Sequence, residues 1–142
     1  MHDPVKQVII IRTRFPGYVP GETRSVRTGK MIAQGAHASM KVFTDRMIHL
    51  NKQTVMHHYG FDHWEDVETW LDGSFTKIVV QVETAEELQR LHDAGVAAGI
   101  PCSIIEDSGR TEWGGVPTFT AAAIGPARSS MIDPITRDLK LF

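Results

Sequence analysis

Four polar side chains recur along one segment of the chain at the spacing of a helix face. They are Lys30, Gln34, His37 and Lys41, within the segment GKMIAQGAHASMKVF of residues 29–43. At about 100° per residue they fall within an arc of roughly 60°. The side that we expect to pack inward carries Ile32, Ala36, Ser39 and Phe43. Such a helix can bury one side and offer hydrogen bonds from the other, although a solvated surface helix has the same pattern.

A second polar group, with the sequence EDSGRT at residues 106–111, stands where a predicted strand ends. In an open α/β sheet, ligands bind outside the carboxyl ends of the strands. A carboxylate such as that of Asp107 can orient or deprotonate a water molecule, and a guanidinium such as that of Arg110 matches phosphate geometry. The alternative is a local turn in which Asp107 caps its own backbone and Arg110 pairs with Glu112.

The elements that must position these residues follow from the apolar pattern. Strands are predicted at Val8–Ile11, Thr76–Val82, Cys102–Ile105 and Thr118–Ile124. One helix is predicted from Gly29 to about Arg46, and a capping box at Thr84 opens another that ends near Gly99. Because strands and helices alternate, we expect a single α/β domain, residues 1–142, with three α/β/α layers. No helix separates the last two strands, so the predicted four-stranded sheet should be mixed.

The composition is ordinary for a globular domain. Of the 142 residues, 42% are hydrophobic and 23% are charged. No apolar run approaches the ~20 residues of a membrane helix, and the N-terminus lacks a signal-peptide layout, so we expect no membrane partner. The single cysteine, Cys102, lies in an apolar run and is expected to be buried and inert rather than nucleophilic. A lone cysteine also fits a reducing cytoplasm.

Basic residues are concentrated near the start of the chain. Residues 1–46 hold eight Lys or Arg and three acidic residues, whereas the remainder holds seven basic and fourteen acidic residues. The segment Phe15–Thr28 is predicted to be a long loop, with Arg14 before it and Arg24 and Arg27 within it. Such a loop could contact the phosphates of a polyanion, or it could be a mobile insertion.

The segment Met47–Leu71 has a less regular pattern, and it contains three histidines. His57, His58 and His63 match no recognised spacing of metal ligands, so we expect them to have a structural or surface role. No metal site is therefore predicted from this segment.

Several blocks of the chain together resemble the signatures of the type II peptidyl-tRNA hydrolases. They are GKMIAQGAHAS, GIPCSIIEDSGRTE, AIGPA and IDPITRDLKLF, in this order, and the resemblance extends from about Gln7 to Phe142. It implies hydrolysis of the ester that joins a peptide to the 3′ end of tRNA, with no metal or other cofactor. It also implies a cytoplasmic protein with a mixed four-stranded sheet between helices, often assembled as a homodimer.

The resemblance also implies a set of polar site residues. They are Lys30, Gln34, His37, Asp107, Thr111 and Thr118. The chain departs from the family pattern after the first strand, where Arg14 takes an acidic position and about nine residues are inserted. It departs again in the turn, which reads Asp-Ser-Gly, and in the linker EWGGVP, which is one residue longer than usual.

These residues suggest a hypothesis for ester hydrolysis. Asp107 would orient or deprotonate the attacking water, and Lys30 would stabilise the oxyanion or the departing ribose oxygen. His37 is an alternative base at neutral pH, or a structural hydrogen-bonding residue. The substrate carbonyl or the terminal adenosine would be held by Gln34, Thr111 and Thr118. The tRNA phosphates would be met by Arg14, Arg24, Arg27, Lys41 and Arg110.

Two other functions share the same sequence features. One is a non-catalytic RNA-binding or protein-interaction module with this fold, and the other is an esterase for different aminoacyl-tRNA esters. A pure binding module has no use for the whole set of Lys30, Gln34, Asp107 and Thr111, so hydrolysis of peptidyl-tRNA is the favoured interpretation.

Overall fold

The structure is a computed structural model that describes residues 2–110 and 112–142. The strands are β1 (Val5–Arg12), β2 (Phe15–Pro16), β3 (Thr23–Arg24), β4 (Met47–Leu50), β5 (Gln53–Met56), β6 (Lys77–Val82), β7 (Cys102–Asp107), β8 (Thr118–Arg128) and β9 (Lys140–Leu141). The helices are α1 (Thr28–Thr44), α2 (Trp64–Asp72), α3 (Ala85–Ala97) and α4 (Ser129–Thr136), with a short 3₁₀ turn at His58–Gly60. None of the helices in this described part is long and apolar enough to cross a membrane.

The main sheet is mixed, as predicted, but it has five strands in the order β7-β8-β1-β6-β9. Strands β1 and β6 are parallel, and the other pairs are antiparallel. The prediction of four strands missed one strand, β9, which lies at the edge of the sheet and pairs with Val80 and Gln81 of β6. A strand of two exposed residues has no periodicity to detect, because it exists only through backbone pairing with a distant strand.

Alternate residues of β1 are buried on opposite faces of the sheet. Val8 and Ile10 pack in a core with residues of α3 and α4, including Leu88 and Ile132. Ile9 and Ile11 pack in a second core with residues of α1 and α2, such as Ala38 and Trp70. A continuous apolar strand between two helical layers is typical of this architecture, so the predicted α/β/α arrangement is confirmed.

The buried side of helix α1 overlaps only partly with the one predicted, because Phe43 is buried as expected whereas other residues of the predicted side are not. Its buried residues are Gln34, Gly35, Ala38, Val42 and Phe43. Ile32 is 68% exposed and Ala36 is also exposed, so the expectation that they pack inward is wrong. At Gly35 an added Cβ would lie 3.1 Å from Cδ1 of Ile11, which shows how closely the helix approaches β1. Small residues at the contact allow this approach, and they decided the orientation rather than hydrophobicity.

The Phe15–Thr28 loop and the segment after α1 both contain structure that the sequence did not reveal. In the loop, β2 and β3 form a small hairpin, and Phe15 and Val26 join Trp113 in a third apolar cluster. After α1, β4 and β5 form an exposed hairpin that precedes α2. The loop is therefore packed against the segment that leads into β8, which brings it close to the polar residues of α1 and β7.

Candidate active site

The two predicted polar groups meet where the start of α1 faces the end of β7. The Nζ atom of Lys30 lies 3.1 Å from Oδ2 of Asp107, and the Nε2 atom of Gln34 donates to the same oxygen at 3.1 Å. The side chains of Lys30 and Asp107 are 16% and 17% exposed. The fold thus brings Asp107 into contact with two residues of α1 that precede it by 77 and 73 positions, and it does so in a partly buried place.

The other carboxylate oxygen of Asp107 is held by its own turn. The backbone N–H of Gly109 donates to Oδ1 at 2.8 Å, which is the self-capping turn named as the alternative interpretation. Gly109 has φ +80°, and a Cβ there would collide with the backbone of Val116. The local turn and the contact with α1 therefore coexist, because each uses a different oxygen of Asp107.

Hydrogen bonds keep Asp107 ionised. Burial raises the pKa of its carboxyl group, but the Gly109 N–H, the Lys30 ammonium and the Gln34 amide together outweigh burial. The net result is a pKa below the usual value of 3.8. A carboxylate of this kind is a weak base at neutral pH, but it is a firm acceptor for the hydrogen of a positioned water.

Gln34 is buried because both ends of its amide have partners. The Thr120 hydroxyl donates to Oε1 of Gln34 at 2.6 Å, which leaves the Nε2 group directed at Asp107. Thr120 reaches Gln34 through a β-bulge, because Ile105 pairs with Ala121 whereas Glu106 pairs with Phe119. The extra residue in β8 turns toward α1. Strict alternation along the strand would place Thr120 on the opposite face, so sequence reasoning missed it.

Trp113 is a second residue that sequence reasoning did not assign to the site. The Nζ atom of Lys30 lies 5.2 Å from the centre of its ring, within the range of a cation–π contact. Trp113 is only 7% exposed and its ring centre is 4.9 Å from that of Phe15. A tryptophan in the otherwise polar and glycine-rich linker EWGGVP was the available signal. It forms the wall between the Phe15–Thr28 loop and Lys30.

Thr118 and His37 stand beside this centre rather than within it. Thr118 is the partner of Asp107 in the β7–β8 register, and its hydroxyl donates to the carbonyl of Val116 at 2.7 Å. His37 is exposed, and among the described residues no hydrogen bond links it to Lys30 or Asp107. Thr111 lies outside the described residues.

The predicted phosphate-binding residues have varied surroundings. Arg27 pairs with the carboxylate of Glu112 at 2.6 Å, and Arg24 donates to the backbone carbonyl of the same residue. The ion pair of Glu112 is thus with Arg27, and not with Arg110 as the alternative interpretation of the turn had it. Arg110 and Arg14 are both exposed.

Lys41 lies at the far end of α1. It is eleven positions after Lys30, which corresponds to about 16 Å along the helix axis. Its Nζ atom pairs with Asp45 at 2.7 Å. It is thus remote from the Lys30–Asp107 pair, and any contact with tRNA would be with a different part of the molecule.

The described residues provide neither a reactive thiol nor a cluster of metal ligands. Cys102 is buried, its thiol donates to the carbonyl of Ile100, and burial raises its pKa to about 12, so it is not a nucleophile at neutral pH. Within residues 2–110 and 112–142, no three His, Cys, Asp or Glu side chains come together as a metal site would require. His58 instead stacks on Trp64, with ring centres 4.2 Å apart.

Comparisons with known proteins agree with the resemblance seen in the sequence. The family model described as peptidyl-tRNA hydrolase PTH2 matches residues 5–142. A peptidyl-tRNA hydrolase of Methanocaldococcus jannaschii is 34% identical over 97% of this chain and 100% of its own length. The peptidyl-tRNA hydrolase of Aeropyrum pernix is 37% identical over 96% of this chain and 95% of its own length. That of Halobacterium salinarum is 35% identical over 97% of this chain and 100% of its own length. The chain therefore belongs to the peptidyl-tRNA hydrolase PTH2 family.

Proposed function

We propose that this protein hydrolyses the ester between a peptide, or an N-blocked aminoacyl group, and the 3′ end of tRNA, so that the tRNA can be reused. The observation that carries the proposal is the partly buried contact of Lys30 and Gln34 with one oxygen of Asp107. That arrangement supplies a carboxylate that can orient a water molecule and, 3.1 Å from it, a cation that can stabilise an oxyanion.

In the proposed mechanism Asp107 positions the water and Lys30 stabilises charge. The water oxygen attacks the ester carbonyl carbon, and its proton passes toward the Asp107 carboxylate or solvent. The Lys30 ammonium then stabilises the tetrahedral oxyanion and the ribose oxygen, which takes a proton from Asp107 or solvent and leaves as a hydroxyl when its bond to the carbonyl carbon breaks. We favour Asp107 over His37 for positioning the water, because Asp107 is in direct contact with Lys30 whereas His37 is exposed.

The remaining site residues are proposed to bind the substrate. Gln34, Thr118 and Thr111 would hold the ester carbonyl or the terminal adenosine, near the reacting bond. Contacts with tRNA phosphates are proposed for Arg14, Arg24, Arg27, Lys41 and Arg110. A cytoplasmic location, a homodimeric assembly and a single domain over residues 1–142 belong to the same proposal. They are supported by the family resemblance and can be checked by fractionation and light scattering.

One assay tests the proposed reaction. The protein is incubated with N-acetyl-aminoacyl-tRNA and, separately, with free aminoacyl-tRNA, and release of the amino acid is measured. We expect rapid cleavage of the blocked substrate, and losses of about 10²- to 10⁴-fold in Lys30→Ala and Asp107→Ala. The matched controls are Lys52→Ala and Asp72→Ala, which change exposed residues of the same types.

Each other outcome has a separate meaning. No cleavage of the blocked substrate by the unmodified protein would contradict the proposed reaction and favour a binding module. Equal cleavage of both substrates would favour an esterase for other aminoacyl-tRNA esters. Full activity in Lys30→Ala and Asp107→Ala would refute the residue roles and leave the reaction standing.

A further inference from the structure

A cavity of about 270 Å³ opens beside the Lys30–Asp107 pair. Its walls include Pro16, Tyr18, Arg24, Trp113, Val116 and Thr118. Two of these residues also border the proposed catalytic centre. The Trp113 ring is in contact with Lys30, and Thr118 pairs with Asp107 in the β7–β8 register. We call this space the Tyr18 cavity, and Trp113 and Thr118 separate it from the proposed catalytic centre by the thickness of one side chain layer.

The wall of the cavity carries an exposed aromatic ring and a guanidinium group that lies against it. Tyr18 is 89% exposed, and the Arg24 guanidinium carbon lies 4.8 Å from the centre of its ring. The position of Arg24 is set by its hydrogen bond to the backbone carbonyl of Glu112. Aromatic rings and guanidinium planes are the surfaces on which unpaired RNA bases stack.

Two buried N–H groups at the same place have no acceptor. They are Nε1 of Trp113 and Nε of Arg24, neither of which has a hydrogen-bond partner among the described residues. Trp113 is more than nine-tenths buried. Buried donors are almost always paired in folded proteins, and both of these donors belong to residues that line the cavity, so a ligand with hydrogen-bond acceptors would suit them. Nucleobases carry such acceptors on their edges, as ring nitrogens and carbonyl oxygens.

We propose that the Tyr18 cavity binds the base of the terminal, unpaired nucleotide of tRNA. The base would stack on Tyr18, with its acceptors toward Trp113 and Arg24. This inference rests on the proposed function. The terminal base suits the cavity better than the peptide does, because all tRNAs end in the same nucleotides whereas the peptide varies. Fixed donors suit a constant partner, since a site with buried polar groups discriminates strongly against ligands that leave them unpaired.

The test uses RNA binding, which does not depend on catalysis. An acceptor-stem hairpin ending in single-stranded CCA is compared with the same hairpin whose terminal residue is abasic. Dissociation constants are measured by fluorescence anisotropy for the unmodified protein, Tyr18→Ala, Tyr18→Phe and Tyr59→Ala. Tyr59 is 93% exposed and lies in the 3₁₀ turn after the β4–β5 hairpin, so it is the matched control.

We expect the unmodified protein, Tyr18→Phe and Tyr59→Ala to prefer the intact hairpin by roughly 5- to 150-fold, which is the range for stacking of one base. In Tyr18→Ala the preference should fall toward one. The KM for N-acetyl-aminoacyl-tRNA should rise by a similar factor while kcat changes little.

The inference is overturned if the unmodified protein does not distinguish the two hairpins, or if Tyr18→Ala keeps the full preference. It is also overturned if Tyr18→Ala alters KM in a way that depends on the peptide and leaves the RNA preference intact, because the cavity would then bind the peptide. If the expected RNA preference is seen but no ester is cleaved, the base site stands and the proposed function fails.

Discussion

At the scale of single residues, the site depends on Asp107 using its two oxygens for separate purposes. One oxygen is bound by the Gly109 N–H of its own turn, and the other receives Lys30 and Gln34 from α1. The turn therefore helps to orient the carboxylate, and Lys30 of α1 places a positive charge beside its other oxygen. This division explains how a common self-capping turn can also be part of the proposed catalytic centre.

The pKa of Asp107 should depend on Lys30. The Lys30 ammonium lowers it through a hydrogen bond and through charge, so Lys30→Ala should move it upward. In the unmodified protein the folded pKa is below the unfolded value. Ionised Asp107 thus adds stability above the unfolded pKa, and this stability is lost as pH falls through the folded pKa.

The dependence on Lys30 is checked by following the carboxyl ¹³C shift of Asp107 by NMR as a function of pH in the unmodified protein and in Lys30→Ala. An unchanged midpoint in Lys30→Ala would contradict the proposed coupling, and Lys52→Ala is the control.

Thr120 should be a positioning residue for Gln34. Thr120→Val keeps the shape of the side chain but leaves the buried Oε1 of Gln34 without a donor. We expect a loss of about 1–3 kcal/mol in the free energy of unfolding, measured by urea denaturation. The further change Gln34→Met in that background should cost less than it does alone, because no buried acceptor remains unpaired. Simple additivity of the two substitutions would argue against the hydrogen bond.

At the scale of elements, strands β1, β6, β7 and β8 and the start of α1 could be predicted because each carries its own periodic signal. Val8–Ile11 is apolar throughout, and it forms the strand that is buried on both faces. The capping box at Thr84 is likewise local, and the Thr84 hydroxyl accepts from the Glu87 N–H at 3.1 Å.

Features that arise only from packing could not be predicted in this way. The bulge at Thr120 depends on how β7 pairs with β8, and the orientation of α1 depends on the close approach at Gly35. Trp113 becomes part of the site only because the Phe15–Thr28 loop folds back on it. Sequence reasoning therefore found Lys30, Gln34 and Asp107, and missed the residues that orient and enclose them.

Helix α3 should be sensitive to any side chain added at Gly95. A Cβ there would collide with the Sγ atom of Cys102 in β7 and would lie 3.5 Å from Ile124. We expect Gly95→Ala to destabilise the fold by about 1–3 kcal/mol, as overpacking of a core does. In a Cys102→Ala background the space is free, and the better helix propensity of alanine should make the change neutral or slightly favourable. Thermal unfolding of the four proteins in this cycle provides the measurement. An equal loss in both backgrounds would exclude the proposed collision.

At the scale of the whole molecule, charge is distributed unevenly around the site. The first 46 residues carry an excess of five positive charges, although the protein as a whole has a net charge of −2. Lys30 and the arginines of the Phe15–Thr28 loop lie in that basic third, and the loop packs against the linker before β8. A polyanion can therefore be attracted to one region of a protein whose total charge is negative.

Salt should weaken binding of whole tRNA much more than binding of its 3′ end. Each phosphate neutralised by the protein contributes about 0.7–0.9 to the slope of log affinity against log salt concentration. We therefore expect KM for N-acetyl-aminoacyl-tRNA to rise steeply with KCl while kcat stays nearly constant. The same aminoacyl ester on a CCA trinucleotide has few phosphates, so its KM should change little.

The substitution Arg14→Gln should reduce the slope for whole tRNA by about the contribution of one phosphate, because Arg14 is exposed. Its matched control is Arg137→Gln, an exposed arginine after α4. Equal slopes for the two substrates would mean that the protein contacts only the 3′ end, and the basic N-terminal third would then have no role in binding tRNA.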